Sequence, residues 1–573
     1  MVNRERSAYC SCMRCQVVVA VIAATSPAVA QRWEDATATC LGDTAEWSNK
    51  VEVADLDEDG RLDILIANGG NYSSAGSPER VRIWNNLGDW TAAPPRCTEV
   101  SEQVVDGFMG LSRAIKAVDV DRDGDLDIIT GGAYQTQLKL FVSSQGDWID
   151  ATAQLPQQLT SIGDLEGGDV DGDGDLDLLL AEWGATAPNA PGYPGGRTRL
   201  YVNDGIGTFT DATATQMPDV LVKWSWELEL VDVDNDWDLD ALIACKACSR
   251  SYLFRNDGEG HFTDDPNALP AFANNYDFEA MDIDGDDDLD LVTINDGLDL
   301  REHILINDGA GTFSDETSAR LTGAANPADA DDNAAVWFDV DDDGDSDLLI
   351  ASLGDDRLLL NDGGGHFTLD PGAVPADTPS TLGIAIGDLN GDGRIDLVQA
   401  QGESAFPDKL QLANDAVAVD SHPPRIAGAF ECELSPGLEL PCRFDVRVFD
   451  LQAPARADDM TRVWIEALHQ PGPIHELSWS GSFVWSTTFW HEASGGPWDY
   501  RACAIDRTGN QACIEPFRLP STADGDGSPQ DPEAPPTGGC RATGEPGSSA
   551  VLIGVAVIGW LRRRRNFATL TLP

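Results

Sequence analysis

Apolar and polar positions along this chain fall into short, recurring blocks. Runs such as Leu62-Asp-Ile-Leu-Ile-Ala67, Leu176-Asp-Leu-Leu-Leu-Ala181 and Ser346-Asp-Leu-Leu-Ile-Ala351 are apolar from the third residue on. The segments ahead of them alternate, as in Val51-Glu-Val-Ala54 and Leu228-Glu-Leu-Val231. Blocks of that length bounded by turns predict buried β-strands rather than helices. Between each alternating segment and the next apolar run lies a nine-residue acidic stretch, Asp-x-Asp/Asn-x-Asp-x-x-x-Asp. Its seven copies begin at Asp55, Asp119, Asp169, Asp232, Asp282, Asp339 and Asp388, 49 to 64 residues apart. A single copy is a common coincidence, but seven at this spacing define an architecture.

The spacing of the carboxylates also implies a chemistry. The pattern places Asp55, Asp57, Asp59 and Asp63 in the first loop, Asp119, Asp121, Asp123 and Asp127 in the second, and Asp169, Asp171, Asp173 and Asp177 in the third. The fourth carries Asp232, Asp234, Asp236 and Asp240, the fifth Asp282, Asp284, Asp286 and Asp290, and the sixth Asp339, Asp341, Asp343 and Asp347. The seventh has Asp388, Asn390, Asp392 and Asp396. Alternate residues of a tight loop turn toward one centre, and glycine at the sixth place, as at Gly60, permits the positive-φ bend that closes it. Hard oxygen ligands at this density suit Ca²⁺, with a backbone carbonyl at the seventh residue and water completing the shell, better than the stricter Mg²⁺. Up to seven such sites are expected. An EF-hand would need Glu at the twelfth position, where the chain has Ile66, Thr130, Leu180, Ile243, Thr293, Ile350 and Gln399. The loop therefore reads as the turn of a β-hairpin. Trp237 in the fourth copy and Asp287 in the fifth replace the glycine, and the fourth site is expected to be the weakest.

A second motif, Asn-Asp-Gly-x-Gly-x-Phe, recurs at 203–209, 256–262, 307–313 and 361–367. Asp-Gly between two strand-like runs is a strong hairpin signal. Each unit of about fifty residues then holds four strands, the size of a propeller blade. Seven loops imply a seven-bladed, all-β propeller. Residues Trp33-Glu-Asp-Ala-Thr-Ala-Thr39 repeat the fourth-strand sequence Phe209-Thr-Asp-Ala-Thr-Ala-Thr215 with no unit before them. The seventh unit lacks that segment after Leu410-Gln-Leu-Ala-Asn-Asp415. The N-terminal strand is expected to complete the last blade and so remove two sheet edges.

On these motifs the stretch 31–420 resembles the FG-GAP/VCBS repeat proteins, whose propellers are related to the integrin alpha-subunit head. The resemblance implies a calcium-stabilised propeller on a secreted or surface-exposed protein. Such propellers serve in adhesion and carbohydrate binding, and as accessory domains of hydrolases and lyases.

The formal net charge of −61 makes nucleic acid an improbable partner. The loop positions take 27 of the 98 acidic residues, and seven Ca²⁺ would offset only 14 charges. The remainder reads as a solvated acidic surface, with basic partners as the alternative. Residues 1–30 read as a signal peptide, with Arg4, Arg6 and Arg14, an apolar Val17–Ala24 and a small-residue site at Ala28-Val29-Ala30. Nine cysteines follow. Cys40 with Cys97 and Cys245 with Cys248 are plausible disulfides, and Cys432, Cys442, Cys503 and Cys513 are expected to bridge the next domain in an undetermined order. Zinc at Cys245 and Cys248 would lack a second nearby pair.

Residues 421–520 differ in character. Segments such as Arg443-Phe-Asp-Val-Arg-Val-Phe449 and Val463-Trp-Ile-Glu-Ala-Leu468 alternate like half-buried strands, and Asp499–Asn510 resembles the late strands of immunoglobulin-like or fibronectin-like β-sandwiches. A Pro/Gly/Asp-rich linker (521–540) leads to a segment at 541–573 with Ala550–Leu561 apolar and Arg562–Arg565 basic. The apolar stretch is short of a bilayer span. Cys540, the apolar stretch and the Arg cluster resemble the MYXO-CTERM sorting signals of myxobacteria and relatives, which implies processing near Cys540 and attachment at the cell surface. A short permanent tail anchor would give the same topology.

The seven histidines form no His-Glu-x-x-His pair, and neither a Gly-x-Ser-x-Gly elbow nor a phosphate-cradling Gly-Lys-Ser/Thr occurs. His261 and His366 occupy equivalent turn positions. The tryptophans at 224, 226, 337, 479, 485, 490 and 498 are read as core packing in preference to sugar platforms. The chain is thus expected to be an exported, surface-anchored or secreted Gram-negative bacterial protein, not an enzyme, that binds an extracellular protein or polysaccharide. It would meet the membrane only through its C-terminal segment. A hydrolase or lyase acting on polysaccharide is the alternative.

Overall fold

The computed structural model describes residues 31–519, apart from 72–73, 92, 186–191, 247, 296–300, 329, 404–405, 433–439, 451–455, 457–458, 469–473 and 492–497. The signal peptide, linker and C-terminal sorting segment read from the sequence lie outside the described residues. The described chain is nearly all β, and its strands pair in the order the repeat dictates. A typical unit is Ile162–Gly168, Asp177–Glu182, Arg199–Asn203 and Phe209–Asp211, an antiparallel meander in which each strand pairs with the next. Seven sheets of this kind follow one another among the described residues.

The two ends of the repeat region meet as expected. Trp33–Asp35 pairs antiparallel with Lys409–Ala413, placing Trp33 opposite Ala413, so the sheet that begins with Thr381–Gly387 receives its fourth strand from the N-terminus. The first strands of successive sheets pack in series. Ser48–Ala54 lies beside Ser112–Val118, and the series continues through Ile162–Gly168, Ser225–Val231, Asn275–Met281 and Asp332–Phe338 to Thr381–Gly387, which returns to Ser48–Ala54. The ring is closed, and the fold is a β-propeller.

Face-to-face packing explains the apolar runs. Asp177–Glu182 and Asp347–Ser352 are buried along their whole length because each sheet is covered on both faces by its neighbours. One core joins the second and third sheets through Ile129, Leu140, Leu165, Leu178 and Tyr201, and another joins the seventh and first through Val398, Leu410, Val53 and Ile64. Burying a leucine fully contributes about 1.5–3 kcal/mol. Every first strand also carries a register shift near its start, for example between Ser112 and Ala114 or between Asn275 and Asp277. Such bulges increase the local twist.

Around the axis the first strands project charged residues into a narrow channel. Lys50 pairs with Glu227 (2.7 Å) and Lys116 with Glu166 (2.7 Å), among Glu52, Asp164, Glu229, Asp277 and Glu279. Burial pushes Glu166 and Asp277 up to about 7 and raises Glu229 and Glu279 well above the usual carboxyl range.

After the ring come two further antiparallel sheets. One orders Arg425–Cys432, Leu440–Phe449, Val484–His491 and Ser478–Gly481, and the other Ile474–Glu476, Met460–Ala467, Trp498–Asp506 and Gln511–Cys513. Phe444, Val446, Val463, Ile465, Tyr500 and Ala502 pack between them. This module sits on the acidic-loop face of the ring. Ser480 O accepts the Asp169 amide at 2.7 Å, Phe449 and Phe483 join the ring's largest apolar core, and Arg456 donates to Ile386 O at 3.1 Å.

Three disulfides are described: Cys40–Cys97, Cys245–Cys248 and Cys503–Cys513. Cys442 is also disulfide-bonded, and its backbone lies opposite Cys432. The pairing of Cys245 with Cys248 leaves no thiolates there for zinc.

Candidate metal centres

Each acidic stretch is the turn between the first two strands of a sheet, and its side chains first organise the turn itself. The opening carboxylate faces back over the loop and gathers its amides. Asp55 accepts from the Asp59 and Gly60 amides at 3.0 and 2.8 Å, and Asp388 accepts from those of Gly391, Asp392 and Gly393 at 2.8–3.1 Å. The fifth-position carboxylate accepts the amide two residues on, as Asp59 does from Arg61 (3.1 Å) and Asp173 from Asp175 (2.9 Å). The sixth residue has positive φ in every loop, +85° at Gly60, +74° at Trp237 and +73° at Asp287. So does the fourth, which is Glu58, Arg122, Gly172, Asn235, Gly285, Asp342 and Gly391 in turn. A β-carbon there costs about 1–2 kcal/mol, which the loop contacts must offset.

The ninth residue does different work. Asp63, Asp127, Asp177, Asp240, Asp290, Asp347 and Asp396 are buried. Asp127 accepts the Val120 amide (3.0 Å) on one oxygen and the Ser143 amide (2.8 Å) on the other, tying the loop to the third strand of its own sheet. Asp347 does the same with Val340 and Asn361. Burial pushes Asp177, Asp290 and Asp347 up to about 8 against these lowering amide bonds.

What remains after these bonds is a set of converging oxygens. Asp55, Asp57 and Asp59 each place one ligand atom within 4.8 Å of the others, as do Asp119 with Asp121 and Asp127, Asp169 with Asp171 and Asp173, and Asp232 with Asp234 and Asp236. Oxygens this close together can share one cation at Ca²⁺–O distances of about 2.4 Å. At the third position, Oδ1 of Asp234, Asp284 and Asn390 is buried without a hydrogen-bond partner, which fits a cation at the loop centre. The clusters can therefore bind a metal ion.

The second motif proves to be part of the same construction. All four Asn-Asp-Gly segments turn between the third and fourth strands. Their asparagines also staple neighbouring repeats. Asn203 Nδ2 donates to Leu176 O of its own loop (3.1 Å) and to Val120 O of the preceding one (2.8 Å), and Asn256, Asn307 and Asn361 repeat the arrangement. Asn86 carries it across the closure by donating to Leu389 O at 2.7 Å. In the seventh sheet the Trp33 indole serves Ile395 O (2.8 Å) and the Ala418 amide serves Val340 O (2.9 Å). The turn glycines are needed for a local reason, because a β-carbon at Gly205 or Gly363 would meet the carboxylate of Asp175 or Asp345.

Other candidates sort themselves by exposure. His261 and His366 are exposed beside Asp257 and Asp362. Trp226 and Trp337 are core residues, while Trp224 is half-buried and meets Trp183 and Trp226 edge to face. The side chains of Trp490 and Trp498 lie outside the described residues. One group was invisible in the repeat pattern: His422 Nδ1 lies 2.9 Å from Asp342 and 4.0 Å from Asp339, a further possible ligand set at the sixth loop. Sequence spacing could not find it, since His422 follows the last repeat.

A family model for the FG-GAP-like repeat matches residues 119–180, 232–293 and 339–398. The chain carries FG-GAP-like repeats. Each matched stretch opens on the first Asp of the second, fourth or sixth loop and closes in the strand after the next one, so the repeat model embraces six of the seven loops. No curated protein matches the chain. Among solved structures, the chain is similar to the Vibrio cholerae biofilm matrix protein Bap1, at 12% identity and TM-score 0.30 over 86% of this chain and 84% of that one. It is similar to an exo-β-1,3-galactanase from Phanerochaete chrysosporium at 11% identity and TM-score 0.29, covering 64% of this chain and 93% of that one. The Dos1 propeller matches at 11% identity and TM-score 0.30, covering 80% and 94%. At these TM-scores the assignment of an FG-GAP-repeat propeller rests on the strand pairing and the repeat match, not on the neighbours.

Proposed function

We propose that this protein is an exported, calcium-dependent binding or adhesion module, a seven-bladed FG-GAP-repeat propeller that carries an immunoglobulin-like sandwich and engages a protein or glycan ligand at the cell surface. The observation that carries the reading is the repetition around a closed ring of one loop whose carboxylate oxygens converge, with the third-position oxygen of Asn390 buried and without a hydrogen-bond partner. In a loop that takes the ion, Ca²⁺ would be held by the first, third, fifth and ninth side chains, and it would neutralise carboxylates that otherwise repel one another. Coupling of ion binding to loop order follows, because the same carboxylates bond the loop amides.

Export is supported by the disulfides, which persist in oxidising compartments. No described helix is long and apolar enough to cross a membrane. Surface attachment rests on the Cys540 segment of the sequence.

A glycan and protein-ligand array run with calcium and then with chelator tests the proposal. Retention of a ligand class that is lost on chelation is the expected outcome. Turnover of a polymeric substrate would replace it with the carbohydrate-active alternative.

A further inference from the structure

The two loops that lack glycine at the sixth place share a second property. In the fourth loop, Arg447 of the C-terminal module is 2% exposed and donates from Nη2 to Asp232 Oδ2 at 2.7 Å and to Asp232 O at 3.1 Å. Its Nη1 donates to Asn235 Oδ1 (2.7 Å) and to the carbonyl of Asp287 in the fifth loop (3.3 Å). Arg255, from the third strand of the same sheet, pairs with Asp234 (3.0 Å) and Asp240 (3.2 Å). The fifth loop repeats the scheme. Arg425 of the module pairs with Asp282 at 3.2 Å and Arg320 with Asp284 at 2.9 Å. In both loops, then, an arginine from the module holds the first carboxylate and an arginine from a neighbouring segment holds the third.

The sequence departures make sense in that setting. The Trp237 ring centre lies 5.8 Å from the Arg447 guanidinium, so the residue that strains the turn also packs against the arginine that enters it. Asp287 offers its carbonyl to the same guanidinium. A third module arginine, Arg443, donates to Gly172 O of the third loop at 3.1 Å and its charge favours the ionised form of Asp169, but its ion pair is with Asp445 at 3.0 Å.

We propose that the fourth and fifth loops are guanidinium sockets. Arginine supplies there the positive charge that a divalent ion supplies in the other loops, and the sockets lock the C-terminal module to the ring. The oxygen geometry of a metal site survives, since Asp234 Oδ1 and Asp284 Oδ1 remain without partners. The charge does not. An ion at the loop centre would lie a few ångströms from two guanidinium groups, and like charges at that range lower its affinity by about a hundredfold or more. The proposal sharpens the calcium reading above and rests on it for the remaining five loops. It also makes the module's contacts with the fourth and fifth loops independent of calcium.

Hydrogen exchange of the full mature chain with and without Ca²⁺, read by mass spectrometry on peptides covering 119–127, 232–240 and 282–290, tests it. Calcium is expected to slow exchange in the second loop by about a hundredfold at an ion concentration a hundred times Kd. It should leave the fourth and fifth loops within about twofold. Native mass spectrometry should count five bound ions. Protection of the fourth or fifth loop equal to that of the second, or more than five ions, overturns the proposal alone. Protection of none of the loops overturns both this proposal and the calcium reading. In Arg447→Met the fourth loop should gain calcium protection, and failure to gain it in a folded variant counts against the socket. If that variant does not fold, the wild-type comparison and the ion count still decide.

Discussion

The second and fourth loops carry aspartate at the same four pattern positions and differ in their company. In the second, Asp119 gathers the amides of Arg122 (2.7 Å) and Gly124 (3.1 Å), and Gly124 takes the left-handed turn. In the fourth, Asp232 gathers the amides of Asp236 and Trp237 at 3.2 Å and also meets a buried arginine from another part of the chain. A carboxylate pattern thus states what a loop could hold. The residues that reach it from outside decide what it does hold.

The broadest way to break this contrast is to remove calcium altogether. Chelation should lower the melting temperature sharply in calorimetry, because each loop held at a hundredfold Kd contributes about 2.7 kcal/mol. An unchanged transition would remove the basis for treating the second loop as an ion site. A finer comparison sets Asp121→Ala against Asp234→Ala. The first should cost about 2.7 kcal/mol in calcium and far less in chelator. The second should cost about 1 kcal/mol or less in either, since Asp234 only loses a partly exposed pair with Arg255. Equal calcium dependence in denaturant titrations of the two variants would erase the distinction.

Asn203→Ala should cost about 2 kcal/mol by denaturant titration with or without calcium, because it leaves the carbonyls of Val120 and Leu176 without the donor that joins two repeats. A calcium-dependent cost would mean that the staple acts through the loops.

The smallest expected effect lies in the axial channel. Glu166 and Asp277 are raised to about 7 by burial, so they favour the protonated form more in the folded chain than in the unfolded one. Their contribution to stability is full below the ordinary carboxyl range near pH 4 and is lost as pH rises toward about 7. Glu279, raised in the same direction, faces Lys50, Lys116, Glu229 and Asp277. Glu279→Gln should therefore raise the melting temperature by about 2 °C at pH 8 and leave it unchanged at pH 4. A stabilisation equal at both pH values would point to packing instead of charge.

Much of the ring was legible from the chain alone because each repeat obeys local rules. Alternating and apolar segments, Asp-Gly turns and the matching segments at Trp33 and Phe209 are all patterns over a few residues, and they place the strands and the closure. Residues whose meaning depends on distant partners were not legible. The ninth-position aspartates read as ligands, yet they also pin Val120 and Ser143 or Val340 and Asn361. The asparagine of Asn-Asp-Gly read as a turn former, yet it joins one repeat to the next. The fourth loop position accepts Glu58 and Arg122 at positive φ, a strain no composition rule would assign to them. The role of Arg447 was hidden most deeply, because its partner Asp232 lies 215 residues earlier in an earlier domain.

The pairing of Trp33 with Ala413 sets an order of events during synthesis. The first described strand belongs to the last sheet to be finished, and some 380 residues must appear before its partner exists. Until then the indole that ends fully buried, bonded to Ile395 O, stays in water or on a chaperone, and six sheets wait with an open flank. A nascent chain of this design cannot finish its ring piecemeal, so truncation anywhere before residue 413 should yield a product that aggregates, not a smaller propeller.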